Sequence, residues 1–231
     1  MAPPATEIAQ LPLLAGADIE DPSSSAGKVW QASLDTIAAQ PGYKGAFWGR
    51  QIENSNMLEL LVDWDDVASH KKFRDDPSYG PFVKHMRTIL DDKPAVTMHH
   101  VELTTRPHYA AVGTATALLR SSPGATEITT FYLDPSISSS DAQAYEDALF
   151  KFSAEAVEKA DGYVSTAGGW IVEDLEHEKV GGKAKGYVIL IGWQSVEKHT
   201  AFRESEAFKG VGAVRQYVKY AQGCHVKFIP M

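Results

Sequence analysis

Two histidines hold matching places in two stretches of the chain. His70 lies in Trp64-Asp65-Asp66-Val67-Ala68-Ser69-His70-Lys71-Lys72-Phe73-Arg74, and His199 lies in Trp193-Gln194-Ser195-Val196-Glu197-Lys198-His199-Thr200-Ala201-Phe202-Arg203. Imidazole titrates near neutral pH, so each could act as a general base or hydrogen-bond donor toward a phenolic or enolic ligand. The same pair also reads as packing. Val67, His70 and Arg74 share one helix face, and a half-buried histidine bonded to a backbone carbonyl would be kept for that alone. Trp64 and Trp193 would stand beside the imidazoles as ligand contacts, or simply continue the apolar faces of Leu58, Leu60 and Val62 and of Tyr187, Ile189 and Ile191 into a core.

A second recurrent pair is His100 and His225, each one residue before the apolar part of a terminal strand. His99 beside His100 suggests a metal site, but neighbouring strand residues point to opposite faces, and a transition metal needs three or four convergent ligands. Glu176-His177-Glu178 reads as a charged turn. The expectation is no metal. Nucleophile-elbow, dinucleotide-binding and phosphate-loop patterns do not occur.

These residues sit in a repeated unit. Thr6-Glu7-Ile8 returns as Thr126-Glu127-Ile128 and Gly42-Tyr43 as Gly162-Tyr163, both 120 residues later. After Glu173 the offset becomes 129, so nine residues are inserted within the polar stretch Asp174–Lys183; near the end it becomes 125, pairing His100 with His225. Each copy reads strand, helix, strand, strand, helix, strand. In the first these are Glu7–Ala15, a helix through Val29, Trp30, Ser33, Leu34 and Ile37, Tyr43–Glu53, Met57–Trp64, a helix from Asp65 or Asp66 that breaks at Pro77 and resumes through Ile89, and Val96–Leu103. In the second they are Ile128–Leu133, Ser140–Lys159, Tyr163–Leu175, Lys185–Trp193, Ser195–Tyr220 and Cys224–Ile229. The spacing predicts an α+β fold of two tandem ferredoxin-like repeats, at 1–104 and 126–231, joined by a linker at 105–125. Both faces of the Met57–Trp64 and Lys185–Trp193 strands carry apolar groups, so two such sheets are expected to bury their free faces against each other.

The apolar strand ending in Trp, followed by a helix reading V-x-x-H-x-x-F-R, resembles the dimeric α+β barrel superfamily. It most resembles the antibiotic-biosynthesis-monooxygenase-like domains, including the fungal ones. The resemblance covers both repeats, about 200 of the 231 residues. It implies an intramolecular version of the barrel that single-domain members close as dimers. The superfamily includes cofactor-independent oxygenases of aromatic polyketides, polyketide cyclases, haem-degrading enzymes and stress-associated proteins without known chemistry. Haem-degrading relatives place their haem-ligating histidine farther from the tryptophan, and the ninth position after it here is Phe73 or Phe202, so no cofactor is expected.

The copies differ after the shared Gly-Tyr: Phe47 and Trp48 of the first are matched by Ala167 and Gly168 of the second. That predicts a filled first pocket and an open second one, walled by Tyr163, Trp170 and Trp193, with His199 as base, Tyr163 as phenolic donor and His225 near the ligand. His70 and Trp64 would face the filled copy. The expected activity is a cofactor-independent oxygenase or cyclase acting on an aromatic or polyketide-like substrate; the alternative is a non-catalytic ligand-binding or stress-related barrel. Composition bounds the rest. With 44% apolar and 23% charged residues the chain is globular, and its charge of −8 repels nucleic acid. One cysteine, Cys224, and no long apolar run point to a cytoplasmic protein without membrane contact. Its partner is a small apolar or aromatic molecule, and further homo-oligomerisation stays open.

Overall fold

The computed structural model describes residues 2–103, Leu119 and residues 123–231. Most of the expected linker, 104–118 and 120–122, lies outside the described residues. The fold is α+β, with two compact units, Met1–His100 together with Phe228–Met231, and Val101–Lys227. None of the described helices is long and apolar enough to cross a membrane.

In the first unit, β1 (Ala5–Pro12) is followed by α1 (Ser25–Ala38), β2 (Tyr43–Arg50), β3 (Met57–Trp64), α2 (Val67–Asp75), α3 (Tyr79–Met86), a 3₁₀ turn at Arg87–Ile89 and β4 (Thr97–Leu103). The antiparallel sheet runs β2-β3-β1-β4, and Ala5 to Pro12 pair residue by residue with Trp64 to Met57. Ser24 starts α1 by accepting from the Gly27 amide at 2.8 Å, and α1 buries Trp30, Leu34 and Ile37 against the sheet. Replacing Ser24 by Ala leaves that amide without its cap, and thermal or denaturant melts should show a loss of about 1 kcal/mol.

Asp66, the second of the two candidate caps, starts α2, accepting from the Ser69 amide at 2.7 Å and the Ser69 hydroxyl at 2.8 Å. Those bonds hold its carboxyl below the usual range, the hydroxyl contributing most. The recurrent Gly-Tyr has a local reason. Gly42 has φ +90°, and a Cβ there would lie 2.6 Å from Ser69 Cβ; Gly162 has φ +86° and the same conflict with Lys198 Cβ. Only glycine accepts both the conformation and the approach. Its carbonyl then accepts the Asp65 amide at 2.8 Å, as Gly162 accepts Gln194 at 2.7 Å, which ties each histidine-bearing helix to the start of a strand.

The second unit repeats the order with β5 (Ala125–Leu133), α4 (Ser139–Glu155), β6 (Tyr163–Ile171), β8 (Gly182–Trp193), α5 (Val196–Arg203), α6 (Gly212–Arg215) and β9 (Val218–Val226). Its sheet runs β6-β8-β5-β9, and Val101–Leu103 pair with β6. The nine-residue insertion lengthens one hairpin: β7 (Leu175–His177) pairs with Gly182–Ala184 around Gly181 at φ +79°.

Most boundaries differ from the sequence reading by a few residues, and two near the C-terminus differ in kind. The expected helix 195–220 is broken after Arg203 by a 3₁₀ segment at Glu206–Val211, and its last piece stops at Arg215 because the chain from Val218 pairs with the edge of β5. The final residues also do not extend β9. Ile229–Pro230 form β10, which pairs with Trp48 and Phe47 of β2, so the tail is counted with the first unit.

Candidate active site

In the first unit, β1 brings Glu7, β3 brings Trp64, α2 brings His70 and β4 brings His100 to one place. Trp64 Nε1 donates to Glu7 Oε2 at 3.0 Å, and His70 Nδ1 lies 3.3 Å from the same oxygen. His70 Nδ1 is also 2.8 Å from His100 Nε2. The Trp64 and His70 rings stack at 5.0 Å with 6° between their planes. Glu7, His70 and His100 are all buried. Only one proton fits between two imidazole nitrogens at that distance, so at most one of the two rings carries a positive charge at a time.

The second unit repeats the arrangement. Trp193 Nε1 donates to Glu127 Oε2 at 3.4 Å, His199 Nε2 is 3.2 Å from that oxygen, and His199 Nδ1 is 2.6 Å from His225 Nε2. Trp193 and His199 stack at 5.1 Å and 15°. The pairs His70/His100 and His199/His225, which periodicity left as separate candidates, are therefore two halves of one cluster each. Glu7 and Glu127 were missed. Their signal was the repeated Thr-Glu-Ile, an acidic residue recurring inside an apolar strand.

The cavities do not follow the sequence expectation. A cavity of about 390 Å³ lies in the first unit, between the sheet and α1 to α3, with Trp64 and His70 in its wall. Its floor is Glu7, Ala9 and Leu11 at alternate positions of β1, and Phe73, Tyr79 and Phe82 line it from the helices. Burial pushes the Tyr79 hydroxyl up; Arg74 opposes this and Glu7 adds to it. Tyr79 thus stays a protonated donor.

Around the matched glycine of the second unit, where the sequence predicts open space, aromatic side chains stand close. Adjacent strand residues face opposite sides, so of Phe47 and Trp48 only Trp48 joins the core beneath the helices, where it meets Trp30 edge-on at 5.5 Å. Phe47 and its counterpart Ala167 bear on the other face. At Gly168, the match of Trp48, an added Cβ would already lie 3.2 Å from the Tyr187 ring. Tyr187 and Tyr145 are fully buried and pack edge-on at 5.4 Å, with Trp170 at 5.7 Å from Tyr145. Phe131 takes the place of Leu11 and Phe152 that of Ala32, and both belong to this core. Glu127 Oε1 also takes the Thr129 hydroxyl at 2.8 Å, where the first unit has Ala9.

Of the residues singled out from sequence, His70 and Trp64 line the described cavity, whereas the others lie in the second unit, with Trp193, His199, Ala167 and Gly168 buried and His225, Tyr163 and Trp170 half-buried. Tyr163 meets Trp193 edge-on at 6.5 Å, and burial raises its hydroxyl above the ordinary tyrosine value. His177 of the inserted hairpin packs on Tyr132 and Tyr220. Among the described residues no group of three or more His, Cys, Asp or Glu is arranged to hold a metal ion.

Neither a protein-family model nor a curated protein matches the chain. Solved structures do. An anthrone oxidase-like protein superposes over 98% of this chain and 91% of its own, with a TM-score of 0.67 at 14% identity. A candidate monooxygenase from Fusobacterium nucleatum gives 0.59 at 8% identity, covering 98% and 93%, and one from Lactobacillus acidophilus gives 0.55 at 11%, covering 98% and 94%. At these identities the likeness is one of fold: the chain shares the α+β fold of these structures.

Proposed function

We propose that the protein is a small-molecule enzyme, a cofactor-independent oxygenase or cyclase of an aromatic or polyketide-like substrate, and that the first unit holds its working site. One observation carries this reading: a cavity large enough for a small molecule, mostly apolar, with His70 in its wall backed by Glu7 and His100. His70 takes the proton of a phenol or enol, Glu7 and His100 orient its ring, and the Tyr79 hydroxyl donates to the oxygen that gains charge. The electron-rich carbanion or phenolate so formed reacts with molecular oxygen. For an anthrone the balance is anthrone plus O₂ to anthraquinone plus water: two C–H bonds break, a C=O bond forms, and O₂ is the four-electron oxidant. A cytoplasmic setting fits the single cysteine.

The test is oxygen consumption and quinone absorbance with anthrone and the purified protein. The reading expects anthrone oxidation well above the buffer rate, without added flavin or metal. A rate equal to buffer, although anthrone binds, would leave the second reading, a non-catalytic binding barrel. What favours that alternative is the second unit, where the same Glu, Trp and two His are held together amid crowded aromatic side chains, as a structural cluster would be.

A further inference from the structure

The cavity has a direction. Glu7, Ala9 and Leu11 form its floor along β1, and four residues of extended strand span about 13 Å. His70 stands at the Glu7 end. The opposite end is fixed by the segment that follows α3. The Leu14 amide donates to Ile89 O at 3.0 Å and the Asp91 amide to Pro12 O at 2.8 Å, and Leu90 bridges to Leu13. Arg87 opens that segment and lines the cavity from there. Among the described residues it is, apart from His70, the only basic side chain in the lining, and none of their carboxylates lies within ion-pair distance of it; it is solvent-exposed. Between the two ends the lining is aliphatic, aromatic and Met86 and Met98, which suits flat apolar rings.

We infer that the substrate of this site is an elongated aromatic acid. Its phenolic or enolic end meets His70, and a carboxylate at its far end is held by Arg87. This rests on the reading of the cavity as the working site. A guanidinium presents paired donors that match a carboxylate, and an exposed one at a cavity end keeps its charge hydrated until the ligand arrives. The protein's net negative charge opposes an anion only weakly at that point, since charges beyond about 10 Å are screened at physiological salt. Arg87 thus sets specificity and orientation, placing the reactive ring at His70 instead of reversed.

Rhein and chrysophanol provide the probe pair: both are dihydroxyanthraquinones and they differ by a carboxylate in place of a methyl. Binding of each is measured by calorimetry near neutral pH to the wild-type protein and to Arg87→Gln, whose exposed position leaves the core untouched. Wild type should bind rhein about tenfold or more tighter than chrysophanol, the worth of a charge-assisted hydrogen bond. Arg87→Gln should remove that advantage and change chrysophanol binding less than about twofold, because no charge is lost toward a methyl group. Equal wild-type affinities, or equal losses for both ligands in Arg87→Gln, would overturn the anchor while leaving the cavity as a binding site. Failure of both compounds to bind would overturn the cavity reading itself, and the anchor with it.

Discussion

Replacing His70 by Ala is expected to slow anthrone oxidation by about 10²–10⁴-fold, the usual worth of a positioned general base, while His199→Ala leaves the rate nearly unchanged. Both variants should also lose stability. Each imidazole faces a carboxylate, buried Glu7 or half-buried Glu127, and stacks on a tryptophan. Removing His70 leaves Glu7 short of a partner, for which a loss of about 3–5 kcal/mol is typical of a buried pair, and removing His199 should cost less because Glu127 keeps contact with water. Rates are therefore compared well below the lower melting temperature. His70→Gln is the companion variant: its side-chain amide can still donate to Glu7 but takes no proton near neutral pH. It should recover much of the stability and none of the rate. Equal loss of turnover in the His70 and His199 variants would show that the described cavity is not where the chemistry happens.

The second large effect is expected in the second unit. Tyr145→Ala should cost about 3–5 kcal/mol by denaturant unfolding, since it removes a fully buried ring from a close-packed aromatic cluster. Tyr145→Phe should behave in the opposite way. The Tyr145 hydroxyl is buried without a hydrogen-bond partner among the described residues, so its removal should leave stability unchanged or slightly raised. The pH dependence separates the two causes. Burial, with the charges of Tyr187 and Glu146 adding to it, holds the Tyr145 hydroxyl well above the ordinary tyrosine value of 10.0. A folded value above the unfolded one gives stability that is complete below the unfolded value and is lost as pH rises beyond it. Wild type should therefore weaken above about pH 10, and Tyr145→Phe should weaken less steeply. An identical alkaline slope in both proteins would place the effect on other tyrosines.

The repeat, the order of strands and helices, the capping of α2 by one of Asp65 and Asp66 and the glycines before β2 and β6 were legible in the sequence, because each depends on neighbours a few residues away. A cap needs an oxygen three residues before an amide, and a tight approach needs a residue without a side chain. The pairing of His70 with His199 and of His100 with His225 at matched positions of the repeat was legible too. That His70 meets His100, and His199 meets His225, was not. Thirty residues separate His70 from His100, and Glu7 stands 63 before His70; only the pairing of β1 with β3 and β4, and the docking of α2 on that sheet, set their side chains within 3.3 Å.

The cavity was decided wholly by tertiary packing. Loss of Phe47 and Trp48 looks like lost volume when two aligned strings are compared, but volume in a core is shared among elements. Tyr187 from the neighbouring strand, Tyr145 and Phe152 from the covering helix and Phe131 from β5 crowd the second unit's core, whereas Ala9, Leu11, Ser25 and Ala32 at matching or adjoining places in the first are smaller and border its cavity or stand near it. Close packing is a property of the whole interior. A single matched position fixes which side chain is present, and the elements packed around it fix whether space remains.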